Sequence, residues 1–142
     1  MSRASQARVS EYLDLITHLP AGASLRLEDV GWDEYEALIS ALEAKPNLRL
    51  TYRQGTLEIM TPSKLHESLK TFITRLLQVL SEVCEVELET RGSTTYKDQP
   101  TGQGTEPDEC VYVGQPERIL GKDRITLGVD PTPEIIGRGI RI

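Results

Sequence analysis

Residues 62–83 read PSKLHESLKTFITRLLQVLSEV, and this stretch decides the architecture of the chain. Leu65, Leu69, Phe72, Ile73, Leu76, Leu77, Leu80 and Val83 recur every three or four positions, the spacing that lines one face of an α-helix. Ser63 stands where a hydroxyl can cap the free N–H groups of the first turn. So wide an apolar face predicts a helix that lies against the core, not one that lines a cofactor site.

Upstream of this helix, Leu48–Arg53 and Thr56–Met60 alternate apolar and polar residues across a Gln54-Gly55 turn, the pattern of a strand pair. Two further helices precede it. Val9–Leu19 carries Tyr12, Leu13 and Ile16 at helical spacing and is ended by Pro20 and Gly22. Trp32–Ala44 carries Tyr35, Leu38, Ile39 and Leu42, with Pro46 as its stop. Downstream, short strands read over Val86–Thr90, Ser93–Lys97, Cys110–Val113 and Ile125–Val129, and another starts at Glu134–Ile136. Pro100, Gly102 and Gly104 mark Asp98–Gly104 as an exposed loop. Helices come first and strands dominate later. That order predicts a mixed α+β fold, a central mixed sheet flanked by helices, in a single domain spanning residues 1–142.

The 142 residues suffice for one ordinary core. Sixteen basic against twenty-two acidic residues leave a net charge of −6, which argues against an electrostatic coat for nucleic acid. A local phosphate site built on a metal stays open. A membrane span needs about 20 near-continuous apolar residues. Leu65–Val83 comes nearest but is interrupted by Lys70 and Arg75, so no membrane is expected. The amino terminus lacks the apolar run of a signal peptide, which makes the cytoplasm the expected compartment. Cys84 and Cys110 make no disulfide framework and no zinc spacing with the two histidines; both are expected to be buried core thiols.

Chemistry concentrates in Gly104-Thr-Glu-Pro-Asp-Glu-Cys-Val-Tyr-Val113. Pro107 cannot donate to a ladder, so it marks the first residue or the edge of a strand, and Asp108 starts that strand where a carboxylate can reach a cleft. Mg²⁺ takes oxygen ligands of this kind, one or two carboxylates plus waters. The plainer alternative is a pair of acids solvating a turn. A second candidate is His66-Glu67, in the first turn of the long helix, where the dipole favours a carboxylate. At 100° per residue, His66 falls at the border of the apolar arc, as a satisfied histidine would. Glu67 falls on the opposite, polar side, where the wheel alone makes it a surface acid; a functional Glu67 demands that this side be covered by a second layer. Gly92-Ser-Thr-Thr95 offers hydroxyls and backbone N–H groups to a phosphate, but reads first as a bulge or turn followed by a Thr-rich strand. Lys64, Lys70, Arg75, Lys97, Lys122 and Arg124 are too dispersed to form a basic patch.

Taken together, Trp32-Asp-Glu-Tyr-Glu-Ala-Leu38, Tyr52-Arg-Gln-Gly-Thr-Leu-Glu-Ile-Met-Thr-Pro-Ser63, His66-Glu67, Gly92-Ser-Thr-Thr95 and Glu106-Pro-Asp108 are collinear. In that order and spacing the chain resembles the Uma-type restriction endonuclease family, over roughly Pro20 to Ile136. The resemblance implies a PD-(D/E)-x-K nuclease-like fold, with an amino-terminal helix and connection over 1–27, an endonuclease-like core over 28–136 and an atypical tail over 137–142. It also implies that Asp108 and Glu67 are the catalytic, metal-binding acids, that Mg²⁺ or Mn²⁺ is the cofactor, and that DNA is the substrate.

The carboxyl end departs from the family pattern, which continues after the segment matching Pro133-Glu-Ile-Ile136 as an apolar strand bearing a Glu and later a Lys. Here the chain reads Gly137-Arg-Gly-Ile-Arg-Ile142, with Arg138 about where the acid belongs. Codons for Gly-Arg-Gly read one base later can encode Val-Glu-Val, so the tail also fits a frame-shifted end. In two-acid-plus-lysine chemistry the metal makes a bound water more acidic and the lysine helps orient it. Loss of an acid and the lysine implies impaired or absent nuclease activity. The alternative is a non-catalytic interaction or scaffold module on the same fold, whose unpaired sheet edge allows a homodimer.

Overall fold

A computed structural model describes residues 1–45, 47–114, 116–119 and 121–137. Pro46, expected to stop the second helix, and Arg138 with the rest of the tail lie outside the described residues. In chain order the elements are α1 (Arg3–Thr17), β1 (Ser24–Leu27), α2 (Trp32–Leu42), β2 (Arg49–Arg53), β3 (Thr56–Met60), α3 (Lys64–Cys84), β4 (Leu88–Thr90), β5 (Thr95–Asp98), β6 (Gln103–Thr105), β7 (Glu109–Val113), a 3₁₀ turn (Pro116–Ile119), β8 (Arg124–Thr126) and β9 (Ile135–Gly137). Strands pair both antiparallel and parallel, which makes this the mixed α+β fold that the element order predicts. The residues fall into two compact units, 1–62 with 99–105, and 63–98 with 106–142.

In the first unit, β3 pairs antiparallel with both β1 and β2, and β2 pairs antiparallel with β6. Gln54 and Gly55 close the β2–β3 hairpin with φ of 46° and 94°, the left-handed pair that matches strand twist. Ser2 starts α1 earlier than the apolar spacing alone suggests, its hydroxyl accepting the Ser5 N–H at 3.1 Å. Glu34 reaches back to accept the Gly31 N–H at 2.9 Å and so fixes the start of α2. The core gathers Val9, Ile16, Tyr35, Leu38, Ile39, Leu42, Leu50, Tyr52, Leu57 and Ile59. Tyr35 stacks on Tyr52 at 4.7 Å between centroids, and Trp32 meets both edge-on.

Two elements depart from the sequence reading here. Ser24–Leu27, read as connection, is a strand whose Leu25 lies opposite Ile59. The loop expected over Asp98–Gly104 shrinks to a turn over 99–102, because Gln103–Thr105 pairs with β2. Gly104 belongs there for a packing reason: a Cβ on it would lie 2.0 Å from Tyr35 Oη.

In the second unit, β7 pairs antiparallel with β4 on one side and β9 on the other, while β5 runs parallel to β8. Tyr96, Cys110, Tyr112, Ile119 and Ile125 are buried together, with Leu127 packed against them. Ser63 caps α3 by accepting the His66 N–H at 3.3 Å, and Glu85 ends it in the left-handed conformation.

The rotation of α3 corrects an expectation. Its apolar stripe is not core: Leu65, Leu69, Phe72, Ile73, Leu76, Val79, Leu80 and Val83 are all exposed, and no residue of the helix is fully buried. The half-buried stripe is instead His66, Lys70, Thr74, Leu77 and Ser81. The physical reason lies in β7 and the residue before it. Asp108 and Glu109 are buried acids, and His66 and Thr74 reach them from α3. An unpaired buried carboxylate costs several kcal/mol, so the two acids hold the helix in this rotation although its apolar side is left exposed. The same rotation leaves Cys84 exposed, contrary to its expected burial, whereas Cys110 is buried as expected.

Candidate active site

Glu106-Pro107-Asp108 leads into β7 as the sequence suggests. Pro107 is fully buried and brings no N–H into the interior; the Asp108 N–H donates to Gly137 O at 3.0 Å, extending the β7–β9 ladder by one residue. The Asp108 side chain is only 8% exposed, and its Oδ1 lies 2.8 Å from Nε2 of His66, itself 11% exposed. The capped first turn of α3 sets His66 against the strand. Two motifs some forty positions apart thus meet in one buried carboxylate–imidazole contact.

Glu109 supplies the second buried acid. Its Oε1 accepts the Gly92 N–H at 2.6 Å and its own neighbour's N–H, from Cys110, at 3.2 Å. Its Oε2 accepts the Thr74 hydroxyl at 3.2 Å. These bonds fasten three segments together: the start of β7, the turn at Gly92, whose φ is 60°, and the middle of α3. A short step away, Glu106 Oε1 accepts the Thr95 hydroxyl at 3.0 Å. The stretch Gly92-Ser-Thr-Thr95 is a turn leading into β5, as expected, and its backbone serves Glu109.

Glu67 lies in the first turn of α3, next in sequence to His66, with an exposed side chain. The second layer that a functional Glu67 demands does not cover Glu67 itself; the side of α3 turned to the strand carries His66 and Thr74, which reach Asp108 and Glu109. Sequence reasoning missed two participants, Glu109 and Thr74. One available signal was position: Glu109 shares the β7 face of Val111, where an acid among apolar residues requires donors.

The nearby thiol and phenols are not poised for nucleophilic work. Burial pushes the Cys110 thiol and the Tyr112 phenol above their ordinary values, and drives Tyr96 upward still further. Two cations of this unit pair with other acids: Arg118 with Glu134 at 2.9 Å, and Lys122 with Asp130. Among the described residues, no three His, Cys, Asp or Glu side chains are grouped to hold a metal ion. Carboxylate oxygens are the donors that Mg²⁺ takes, and Asp108 and Glu67 offer them without being drawn into such a group. No described helix is long and apolar enough to cross a membrane.

Comparison with known proteins agrees with the collinear motifs. The family model Uma2, described as a putative restriction endonuclease, matches residues 32–136. Neither the curated proteins nor the solved structures contain a match to the chain.

Proposed function

The chain belongs to the Uma2 family, and from that premise we propose that it is a metal-dependent endonuclease domain acting on DNA, with weak or no turnover in this form. The observation that carries the proposal is the buried contact of Asp108 with His66, which joins the Pro-Asp and His-Glu motifs in one place. In this reading Asp108 and Glu67 hold Mg²⁺ or Mn²⁺. When bound, the ion supplies charge neutralisation at the phosphodiester and a more acidic water. His66 donates from Nε2 to Asp108 Oδ1 and fixes the plane of that carboxylate. Glu109 holds the Gly92 turn and α3 in register around the pair. Activity is impaired because Arg138 places a cation where the family pattern has an acid.

Calorimetric titration with Mg²⁺ and with Mn²⁺, beside a nicking assay on supercoiled DNA, tests the proposal. Millimolar binding that Asp108→Ala eliminates and Glu67→Ala weakens supports it, and any nicking should vanish with Asp108→Ala. Absence of metal binding in a folded protein rejects it. The second reading, a non-catalytic interaction module on the same fold, is favoured by the exposed apolar stripe of α3. A protein that binds no metal but forms a stable complex supports that reading.

A further inference from the structure

We infer that the outward stripe of α3 is a self-association surface, on which a second copy of this chain packs its own α3 antiparallel. Leu65, Leu69, Phe72, Leu76, Val79 and Val83 follow one another at steps of four, three, four, three and four. That is the spacing at which two helices interlock side chains over a continuous seam. All six are exposed, Phe72 to 64% and Val83 to 75%, and none is charged. Ile73 and Leu80 widen the seam on one side.

The area is large enough to matter. Side chains of these sizes, exposed to this degree, present on the order of 800 Å² of apolar surface, about what each partner contributes to a standard stable interface. The largest apolar patch on an ordinary monomer is about 300–600 Å². The α3 helix is 21 residues long, which gives a seam of about 30 Å.

Self-pairing follows from the order of residues along the seam. With a two-fold axis between the helices at the level of Thr74, Leu65 faces Val83 of the second copy, Leu69 faces Val79 and Phe72 faces Leu76. Every layer then joins two apolar side chains, the self-complementarity a symmetric interface needs. Thr74 itself points inward to Glu109, so pairing leaves that contact intact. The inference is independent of the metal-site proposal and holds whether or not the chain hydrolyses DNA.

Sedimentation of the whole chain in EDTA tests it, because metal binding then plays no part. The expected result is a dimer, weakened by about a hundredfold or more in Phe72→Glu or Leu76→Glu, since a carboxylate on the seam meets its counterpart or an apolar partner. Both side chains are exposed, so the variants should keep the parent far-UV spectrum and melt. Orientation is read by oxidative cross-linking with Cys84→Ser as background. Leu65→Cys mixed with Val83→Cys should link to each other, and neither should link efficiently to itself. A chain that stays monomeric at high concentration, or one that is monomeric but floats with lipid vesicles, overturns the inference. So does a dimer indifferent to Phe72→Glu, or a Leu65→Cys variant that links to itself.

Discussion

The Glu109 carboxylate accepts the Thr74 hydroxyl at 3.2 Å while holding the Gly92 N–H at 2.6 Å, so a single acid fastens α3 and the Gly92 turn to β7. Truncating it leaves two backbone donors without their acceptor. Glu109→Ala should therefore cost about 2–4 kcal/mol in urea unfolding, whereas Thr74→Val, which removes one hydroxyl bond, should cost about 1 kcal/mol. Equal losses for the two variants would contradict the fastening role of the carboxylate.

His66 and Asp108 form a nearly buried pair, and removal of the imidazole leaves the carboxylate without its 2.8 Å partner. His66→Ala is expected to destabilise the fold by about 2–4 kcal/mol. Asp108→Asn keeps an oxygen that can still accept from Nε2–H, so its loss should be visibly smaller. Chemical denaturation followed by circular dichroism compares the two.

Gly104 lies where an added methyl would collide with the Tyr35 hydroxyl and ring. Gly104→Ala should lower stability by about 1–3 kcal/mol through overpacking. Combining it with Tyr35→Phe removes the nearest atom of the clash, so the double variant should be more stable than the sum of the single losses implies. Strict additivity would mean that the ring moves aside in Gly104→Ala.

Acid should weaken the second unit in part through Asp130. The Lys122 ammonium, and then the Thr126 N–H at 2.9 Å, hold this carboxyl below its ordinary value. A carboxyl with a depressed folded value stabilises fully above its unfolded value, near about pH 4, and that contribution is lost as pH falls through the folded value. Thermal midpoints measured from about pH 5 down to about pH 2 should fall, and Asp130→Asn should flatten part of that slope. The effect is modest because Lys122 is exposed to solvent. An unchanged slope would exclude Asp130 as a contributor.

Local pattern carried most of the secondary structure. The α2 stripe and the alternation on either side of Gln54-Gly55 are properties of neighbouring residues, and both elements stand within two residues of where periodicity puts them. The strands β1 and β6 escaped because each is three or four residues long and owes its existence to a distant partner, Ile59 for Leu25 and Tyr52 for Gly104. Hydrophobic spacing correctly identified α3 but misjudged which way it turns. Its rotation answers to two buried acids that follow by some thirty-five to forty residues. For the candidate site, Pro107 made Asp108 legible at the start of a strand. The meeting with His66 was not legible, because nothing local in either motif encodes a contact across forty-two positions.

The cluster around Tyr35 and Tyr52 holds the only tryptophan of the chain, Trp32. Intrinsic emission excited at the indole therefore watches residues 1–62 and 99–105, and does not directly watch the carboxylate–imidazole pair. A melt recorded at that wavelength can look undisturbed after damage at Asp108 or Glu109. Amide exchange along α3 and β7 gives the corresponding optical blind spot its own reporter.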